Sequence, residues 1–174
     1  LLSAMKKPKL AITMGDPEGI GPEIIVKALN QRDTYNKCNP LVTGDPVILR
    51  RAVELLGLPL SVHPIRSVGE AKFEYGTIDV YVVEAADARE VEFGKVSAAG
   101  GNIAFEAIRT AIELAMNNEV DGTVTAPINK EALNLAGHHY SGHTEIYAHF
   151  TGTRKYAMLL ADEYLRVIHV SKHV

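Results

Sequence analysis

The sequence contains a single cysteine, Cys38, and no apolar run as long as a membrane span. One thiol cannot form an intrachain disulfide, which is typical of proteins from reducing compartments. A membrane helix needs about 18 consecutive apolar residues. The first apolar segment is interrupted by Asp16 and Pro17, too early for the core of a signal peptide. We therefore expect a cytoplasmic protein without a membrane segment.

The sequence also lacks an excess of positive charge. Its 18 Lys and Arg residues are outnumbered by 21 Asp and Glu residues, the formal net charge is −3, and no local run of basic residues compensates. Nucleic-acid backbones are bound through basic surfaces, so nucleic acid is not an expected partner. The 174 residues, 47% of them hydrophobic, are sufficient to build a buried core.

Several familiar catalytic and nucleotide-binding motifs are absent as well. The glycines of MGDPEGIGPE do not have the dinucleotide-binding spacing G-x-G-x-x-G, and no Lys-Ser or Lys-Thr pair follows as in a P-loop. Neither G-x-S-x-G nor HExxH occurs. Standard Rossmann and P-loop sites, serine hydrolases and zinc proteases are therefore not predicted.

The segment MGDPEGIGPE instead predicts a loop between a strand and a helix. Residues 9–14, KLAITM, are rich in β-formers, and Pro22 and Glu23 suit the first turn of the helix EIIVKALN. Such a loop allows close backbone approach to a ligand and presents a helix N-terminus to an anion. Alternatively, it is a tight turn in which Asp16 caps the local backbone. Both interpretations of Asp16 stay open.

Strands and helices alternate along the rest of the chain. Apolar residues spaced three and four apart between Asn102 and Asn118 are the strongest helix signal, and Thr144 is suited to cap a helix TEIYAHF. We also predict strands at 40–44, 60–65, 78–83 and 122–127, helices at 46–57 and 128–137, and two strands within YAMLLADEYLRVIHV. This alternation predicts an α/β fold with a largely parallel sheet and some antiparallel pairing near the end.

A cluster of polar residues follows the strand that ends at Pro127. In open α/β sheets, ligands bind beyond the carboxyl ends of the strands. Lys130 is therefore a candidate phosphate contact, and His143 and Thr144 are candidate anion donors at a helix start. Each of these residues taken alone is more simply an exposed or capping residue. The cluster comprises Asn129, Lys130, His138, His139, Ser141, His143, Thr144 and Glu145.

The last nine residues, RVIHVSKHV, contain His169 and His173 four positions apart. Residues at this spacing share a face on a strand or a helix. His169 lies within an apolar run and is interpreted as a core residue, whereas His173 follows in a polar stretch and is a candidate metal ligand. One histidine does not make a metal site, since a catalytic metal needs about three protein ligands.

Four segments, MGDPEGIGPE, TAPINKEAL, AGHHYSGHTE and VIHVSKH, have an order and separation that resemble the 4-hydroxythreonine-4-phosphate dehydrogenase family of vitamin B6 (pyridoxine) biosynthesis. The resemblance covers the chain from Met5 onward. Within the family, YAMLLADEYLRVIHVSKH is closer to the branch that acts on 4-phospho-D-threonate and 4-phospho-D-erythronate. Met5 followed by two lysines has the form of a natural start, so residues 1–4 are interpreted as a remnant of protein expression.

The resemblance implies a two-lobed fold similar to isocitrate and isopropylmalate dehydrogenases, assembled as a homodimer. Residues 1–126 would form the first lobe and residues 127–174 the start of the second. The implied reaction is oxidation, by NAD or NADP, of a phosphorylated hydroxy acid such as 4-phosphohydroxy-L-threonine or 4-phospho-D-threonate, followed by decarboxylation. It would depend on a divalent metal: zinc, magnesium, cobalt or manganese.

The resemblance also implies roles for individual residues. His143 and Thr144 match the family's substrate-binding pair, and His173 matches its first metal-binding histidine. The other metal ligands and most cofactor contacts would lie in a second half, because members of the family are about twice as long. We therefore expect the chain to be the amino-terminal half of a longer polypeptide. The alternatives are a non-catalytic lobe that binds a phosphorylated metabolite at the GHTE helix start, and a purely structural lobe.

Overall fold

A computed structural model describes residues 6–168, and its first layer is a five-stranded sheet. Every strand pairing in this sheet is parallel, and the strand order is β3-β4-β2-β1-β5. The predicted α/β class with a parallel sheet is thereby confirmed. The strands are β1 (Lys9–Thr13), β2 (Asn39–Gly44), β3 (Ser61–Ile65), β4 (Thr77–Val82) and β5 (Gly122–Thr125).

Helices connect the strands and cover the sheet. Those of the described residues are α1 (Gly21–Leu29), α2 (Arg32–Lys37), α3 (Pro46–Leu56), α4 (Ala98–Met116), α5 (Lys130–Leu135) and α6 (His143–Thr151). Two short strands, β6 (Leu159–Ala161) and β7 (Arg166–Ile168), then pair as the predicted antiparallel hairpin. Unlike the central strands, both strands of this hairpin are exposed along their whole length.

Helix α4 is the central helix of the core. Its apolar residues contact the sheet through a cluster that includes Ala11, Leu41 and Ala111, and its other side packs against α5 and α6. The second contact is built from Phe105, Ile108, Ile112, Leu133 and Ile146, all buried. The helix signal between Asn102 and Asn118 is therefore confirmed as the signal of a core helix.

Helix α4 begins four residues earlier than predicted because of a cap and two close contacts. Ser97 Oγ accepts a hydrogen bond of 3.0 Å from the Gly100 N–H, which is the usual bond of an N-cap serine. A Cβ on Gly101 would lie 2.0 Å from the carbonyl oxygen of Ala132, so the backbone of α5 touches α4 there. The segment after β5 is thus packed tightly on α4. The lobe boundary predicted between residues 126 and 127 stays a prediction.

The structure corrects the predicted start of α6. The N-cap is Gly142, at a φ of 159°, and His143 is the first helical residue. Thr144 therefore lies inside the first turn and is not the cap. The helix predicted at 128–137 is shorter, because Asn129 is its N-cap: Asn129 Oδ1 accepts the Ala132 N–H at 3.1 Å.

Candidate substrate-binding site

The loop after β1 meets the loop after β5 at the carboxyl edge of the sheet. The two strands are parallel neighbours, so their carboxyl ends lie together. The Asp16 N–H donates to the Pro127 carbonyl at 2.9 Å. Gly15, the residue before Asp16, has a φ of 72°. A Cβ at this position would lie 2.5 Å from the Pro127 carbonyl oxygen, so only glycine fits. Two of the four family segments, MGDPEGIGPE and TAPINKEAL, are therefore in contact.

Asp16 is buried within this loop. Its Oδ1 accepts the Glu18 N–H at 3.0 Å, which is the local capping contact that the sequence allowed. Burial raises the pKa of the Asp16 carboxyl above its usual value; the nearby charge of Glu18 raises it further, and the Glu18 N–H opposes both effects. The capping contact accounts for the position of Asp16. A role in ligand binding stays a prediction.

Glu18 is a structural residue of this loop that sequence reasoning missed. It is only 3% exposed, and its Oε2 accepts the Ser97 N–H at 2.7 Å, 79 residues along the chain. A carboxylate at the N-terminus of a helix is stabilised by the helix dipole. A Cβ on Gly100 would lie 2.5 Å from the same oxygen. The glycine pair at 100 and 101 was the sequence signal that something approaches the start of α4 closely.

Lys130 is the exposed first residue of α5. It follows three residues after Pro127, whose carbonyl binds the Asp16 N–H. The loop of Asp16 thus adjoins the segment that leads into α5 and Lys130. Within residues 6–168, the hydrogen bonds join neither of them to His143 or Thr144.

His143 has an unsatisfied polar atom at the start of α6. Its Nε2 is buried and has no hydrogen-bond partner among the described residues. Burial lowers the pKa of the His143 imidazole, so the ring is neutral at pH 7. A buried polar group without a partner costs about 1–3 kcal/mol, and such groups are uncommon in folded proteins. A ligand oxygen that accepted a hydrogen bond at this position would remove the cost.

Thr144, the next residue, lines a cavity of about 210 Å³. The cavity runs along α6 and onto the turn that follows it. Tyr147 ties this part of α6 to the sheet, because its hydroxyl donates to Thr123 Oγ1 at 2.8 Å. The remaining lining residues, several of them with hydroxyl groups, are Ala148, Thr151, Thr153 and Tyr156.

Most other polar residues of the predicted cluster form hydrogen bonds within the protein. His139 Nδ1 lies 3.2 Å from Asn134 Oδ1, and Glu145 Oε2 accepts the Ser141 N–H at 2.8 Å. Asn129 caps α5, and His138 is bonded to α4. These residues have the capping and structural roles that were the simpler interpretation. His143 and Thr144 are the members of the cluster best placed to meet a ligand.

The structure does not test the predicted metal ligand. His169 and His173 lie outside residues 6–168. Within that range, no three His, Cys, Asp or Glu side chains come together in a way that would hold a metal ion. The residues described here thus do not by themselves fit a metal centre. No helix of the same range is long and apolar enough to cross a membrane.

The fold and the site define an α/β protein in which polar residues gather on loops at the carboxyl edge of a parallel sheet and at the start of a helix packed on α4. Residues 36–174 match the model of the family described as pyridoxal phosphate biosynthetic protein PdxA. The chain belongs to this family, and the resemblance drawn from its four sequence segments is confirmed.

Proteins similar to this chain are named as dehydrogenases. The D-threonate 4-phosphate dehydrogenase of Cupriavidus necator is 44% identical over 167 residues, an alignment that covers 96% of this chain and 50% of the relative. The crystal structure of a 4-hydroxythreonine-4-phosphate dehydrogenase from Burkholderia phymatum matches with a TM-score of 0.91 and 42% identity, covering 97% of this chain and 51% of that one. The crystal structure of the Klebsiella pneumoniae enzyme of the same name matches with a TM-score of 0.89 and 42% identity, covering 99% of this chain and 52% of that one. The chain spans about half the length of these relatives.

Proposed function

We propose that the chain forms the amino-terminal half of a dehydrogenase that oxidises a phosphorylated hydroxy acid with NAD or NADP. Family membership and the names of the relatives support this reaction class. The observation that carries the proposal is the buried, unpartnered Nε2 of His143, next to Thr144 and its cavity. The proposed substrate is 4-phosphohydroxy-L-threonine or 4-phospho-D-threonate. The segment YAMLLADEYLRVIHVSKH and the name of the Cupriavidus necator relative favour the second.

His143 and Thr144 would bind and orient the substrate. A neutral imidazole with its proton on Nε2 donates one hydrogen bond to a substrate oxygen. The Thr144 hydroxyl and the backbone N–H groups of His143 and Thr144, at the start of α6, are further donors for an anionic group. Lys130, the exposed first residue of α5, would contribute a positive charge, and Asp16 a negative one.

The cofactors belong to the same proposal. NAD or NADP supplies the hydride acceptor when bound, and a divalent metal, with His173 among its ligands, supplies Lewis-acid activation of the substrate hydroxyl and of the later decarboxylation. Residues 6–168 contain no group of three His, Cys, Asp or Glu side chains that could hold a metal ion. The remaining ligands are therefore assigned to polypeptide that matches the second half of the relatives. A two-lobed fold like that of isocitrate dehydrogenase, a homodimer and a cytoplasmic location complete the proposal.

The first test is ligand binding followed through stability. A ligand present at 100 times its Kd stabilises the folded state by about 2.7 kcal/mol. We expect 4-phospho-D-threonate to raise the melting temperature of the natural protein, and His143→Ala to abolish the rise. His139→Ala is the matched control, because this exposed residue of the same loop bonds only to Asn134 in the hydrogen bonds described.

The second test is turnover, which separates the proposal from its alternatives. We expect NADH or NADPH formation at 340 nm with a divalent metal present, and its loss in His173→Ala. Binding without turnover under every metal and nucleotide condition would favour the non-catalytic metabolite-binding lobe. No thermal shift with either phosphorylated acid would favour a structural lobe and reject the proposal.

A further inference from the structure

The loop that leads into His143 is held against α4 by one side-chain pair. This α5–α6 loop, residues 136–142, ends at the N-cap of α6. His138 Nε2 lies 2.9 Å from Asn102 Oδ1, across 36 residues of chain. The amide nitrogen of Asn102 in turn donates to the Ala85 carbonyl at 2.8 Å. Three segments distant in sequence are thereby joined at one point.

This chain of hydrogen bonds fixes the protonation pattern of His138. Because the Asn102 Nδ2 group donates to a carbonyl, Asn102 must present its oxygen to the imidazole. That oxygen can only accept, so His138 Nε2 carries the proton. Burial lowers the pKa of His138, although the nearby charge of Glu106 opposes this effect. The neutral tautomer with hydrogen on Nε2 is therefore the form present at pH 7.

Aromatic stacking reinforces the same contact. The rings of His138 and Phe105 are nearly parallel, at 10°, with centroids 3.7 Å apart. Tyr140, two residues further along the loop, stacks on the same Phe105 ring at 5.7 Å and 21°. Phe105 belongs to α4, so the ring contacts and the hydrogen bond attach the loop to the same helix.

His143 needs such an anchor. Its buried Nε2 has no partner among the described residues, and a small shift of the loop would release this unfavourable state by exposing the ring to water. Unfavourable local states persist only where the surrounding structure over-determines them. The Gly142 N-cap cannot supply this restraint, because glycine has the greatest backbone freedom.

We infer that Asn102 and His138 are positioning residues, which hold the α5–α6 loop so that His143 and Thr144 are pre-arranged for ligand. The inference rests on the proposed function, because it assigns a purpose to the binding pair. Neither positioning residue needs to touch the ligand. Their effect would appear as affinity, since a pre-organised site loses less conformational entropy when it binds.

The experiment compares variants at position 102 in the natural protein. Asn102→Ala removes the acceptor for His138 Nε2–H. Asn102→Asp keeps an acceptor there, loses the donor to Ala85 and adds a negative charge beside the imidazole. Asn117→Ala, at the exposed C-cap of the same helix, is the matched control for asparagine removal. Ile48→Val, a buried residue of α3 in the core, controls for loss of stability alone.

Three measurements are made on each variant. Long-range ¹H–¹⁵N spectra of labelled histidine report the tautomer of His138, amide hydrogen exchange reports the order of residues 138–142, and calorimetric titration reports the affinity for 4-phospho-D-threonate. For Asn102→Ala we expect about tenfold faster exchange in the loop and about tenfold weaker binding, the size expected for loss of one part-buried hydrogen bond. Asn102→Asp should retain the Nε2–H tautomer and recover most of the affinity. Both controls should bind as the unchanged protein does.

Separate outcomes reject the positioning role and the proposed function. Hydrogen on Nδ1 of His138 in the unchanged protein would overturn the inference, as would equal affinity in Asn102→Ala. Weaker binding in Ile48→Val to the same degree would reduce the effect to general stability and overturn it too. Absence of binding by the unchanged protein rejects the proposed function. The tautomer and the loop exchange would then show whether the anchor itself exists.

Discussion

Two carboxylates, Asp16 and Glu18, are buried within the loop after β1 and have different hydrogen-bond partners. Glu18 accepts a backbone N–H at the start of α4. Asp16 has one local hydrogen bond, and burial raises its pKa above the usual value. A group with a raised carboxyl pKa stabilises the fold only at low pH, and this contribution is lost as the pH rises through the folded-state pKa. At neutral pH the Asp16 charge is therefore unfavourable for folding, as is common at functional positions.

Asp16→Asn tests the two interpretations of this residue. Asparagine retains the oxygen that accepts the Glu18 N–H and removes the buried charge. We expect the free energy of unfolding at pH 7, measured in urea, to stay within about 1 kcal/mol of the original value or to rise. If Asp16 belongs to the ligand loop, the affinity for 4-phospho-D-threonate falls; if it is only a cap, the affinity is unchanged. Asp162→Asn, on the exposed hairpin, is the control. A larger loss of stability would contradict the assigned charge effect.

The two half-buried histidines, His138 and His143, give a second prediction, for pH dependence. Burial lowers the pKa of both His138 and His143 from the ordinary value of 6.5. The unfolded chain therefore binds more protons than the folded chain as the pH falls through 6.5, and stability must decrease in that direction. We expect a lower free energy of unfolding at pH 5.5 than at pH 7.5. His143→Gln should reduce this pH dependence. An unchanged slope in His143→Gln would contradict the buried, neutral state of that ring.

At the scale of elements, the attachment of α5 to α4 depends on a residue without a side chain. Gly101→Ala would place a Cβ 2.0 Å from a backbone oxygen of α5, which cannot rotate away. Overpacking costs about 1–3 kcal/mol, and we expect the upper end here. Urea unfolding should show the loss, and amide exchange in α5 should accelerate. Gly69→Ala is the control, since its nearest neighbour is 3.9 Å away. Equal stability of both variants would mean that the α4–α5 contact is looser than described.

The elements also show where sequence reasoning succeeded and where it could not. Strand β1, its loop and helix α1 were predictable because a buried strand, glycines and a proline at the helix start are local signals. Helix α2 was missed, since it buries only Tyr35 and has no apolar repeat. The bonds that define the candidate site, Glu18 to Ser97 and His138 to Asn102, cross 79 and 36 residues. No local pattern encodes such partners, so the site residues were predictable by resemblance and their geometry was not.

At the scale of the whole molecule, residues 6–168 expose apolar surface beside the end strand β5 and on the β6–β7 hairpin. β5 is the end strand of the sheet and its Val124 is exposed. Beside it, a groove of about 290 Å³ is lined by Ile12, Ile24, Ile25, Ala28, Val124, Thr125 and Ala126. The β6–β7 hairpin exposes Leu159, Leu160, Leu165 and Ile168. An isolated two-stranded hairpin is marginally stable in water, and an open apolar edge promotes association.

These surfaces predict the behaviour of the 174-residue chain when it is produced alone. We expect concentration-dependent association, detected by light scattering, because the chain spans about half the length of its relatives and its apolar edge has no cover among the described residues. The double variant Val124→Lys, Leu160→Lys should reduce association, since lysine on an edge opposes strand pairing. Leu55→Lys, which also replaces an exposed leucine but on α3, should not. If the unsubstituted chain is monomeric, or if both variants associate equally, then the apolar surface beside β5 and the β6–β7 hairpin do not drive contacts with other chains.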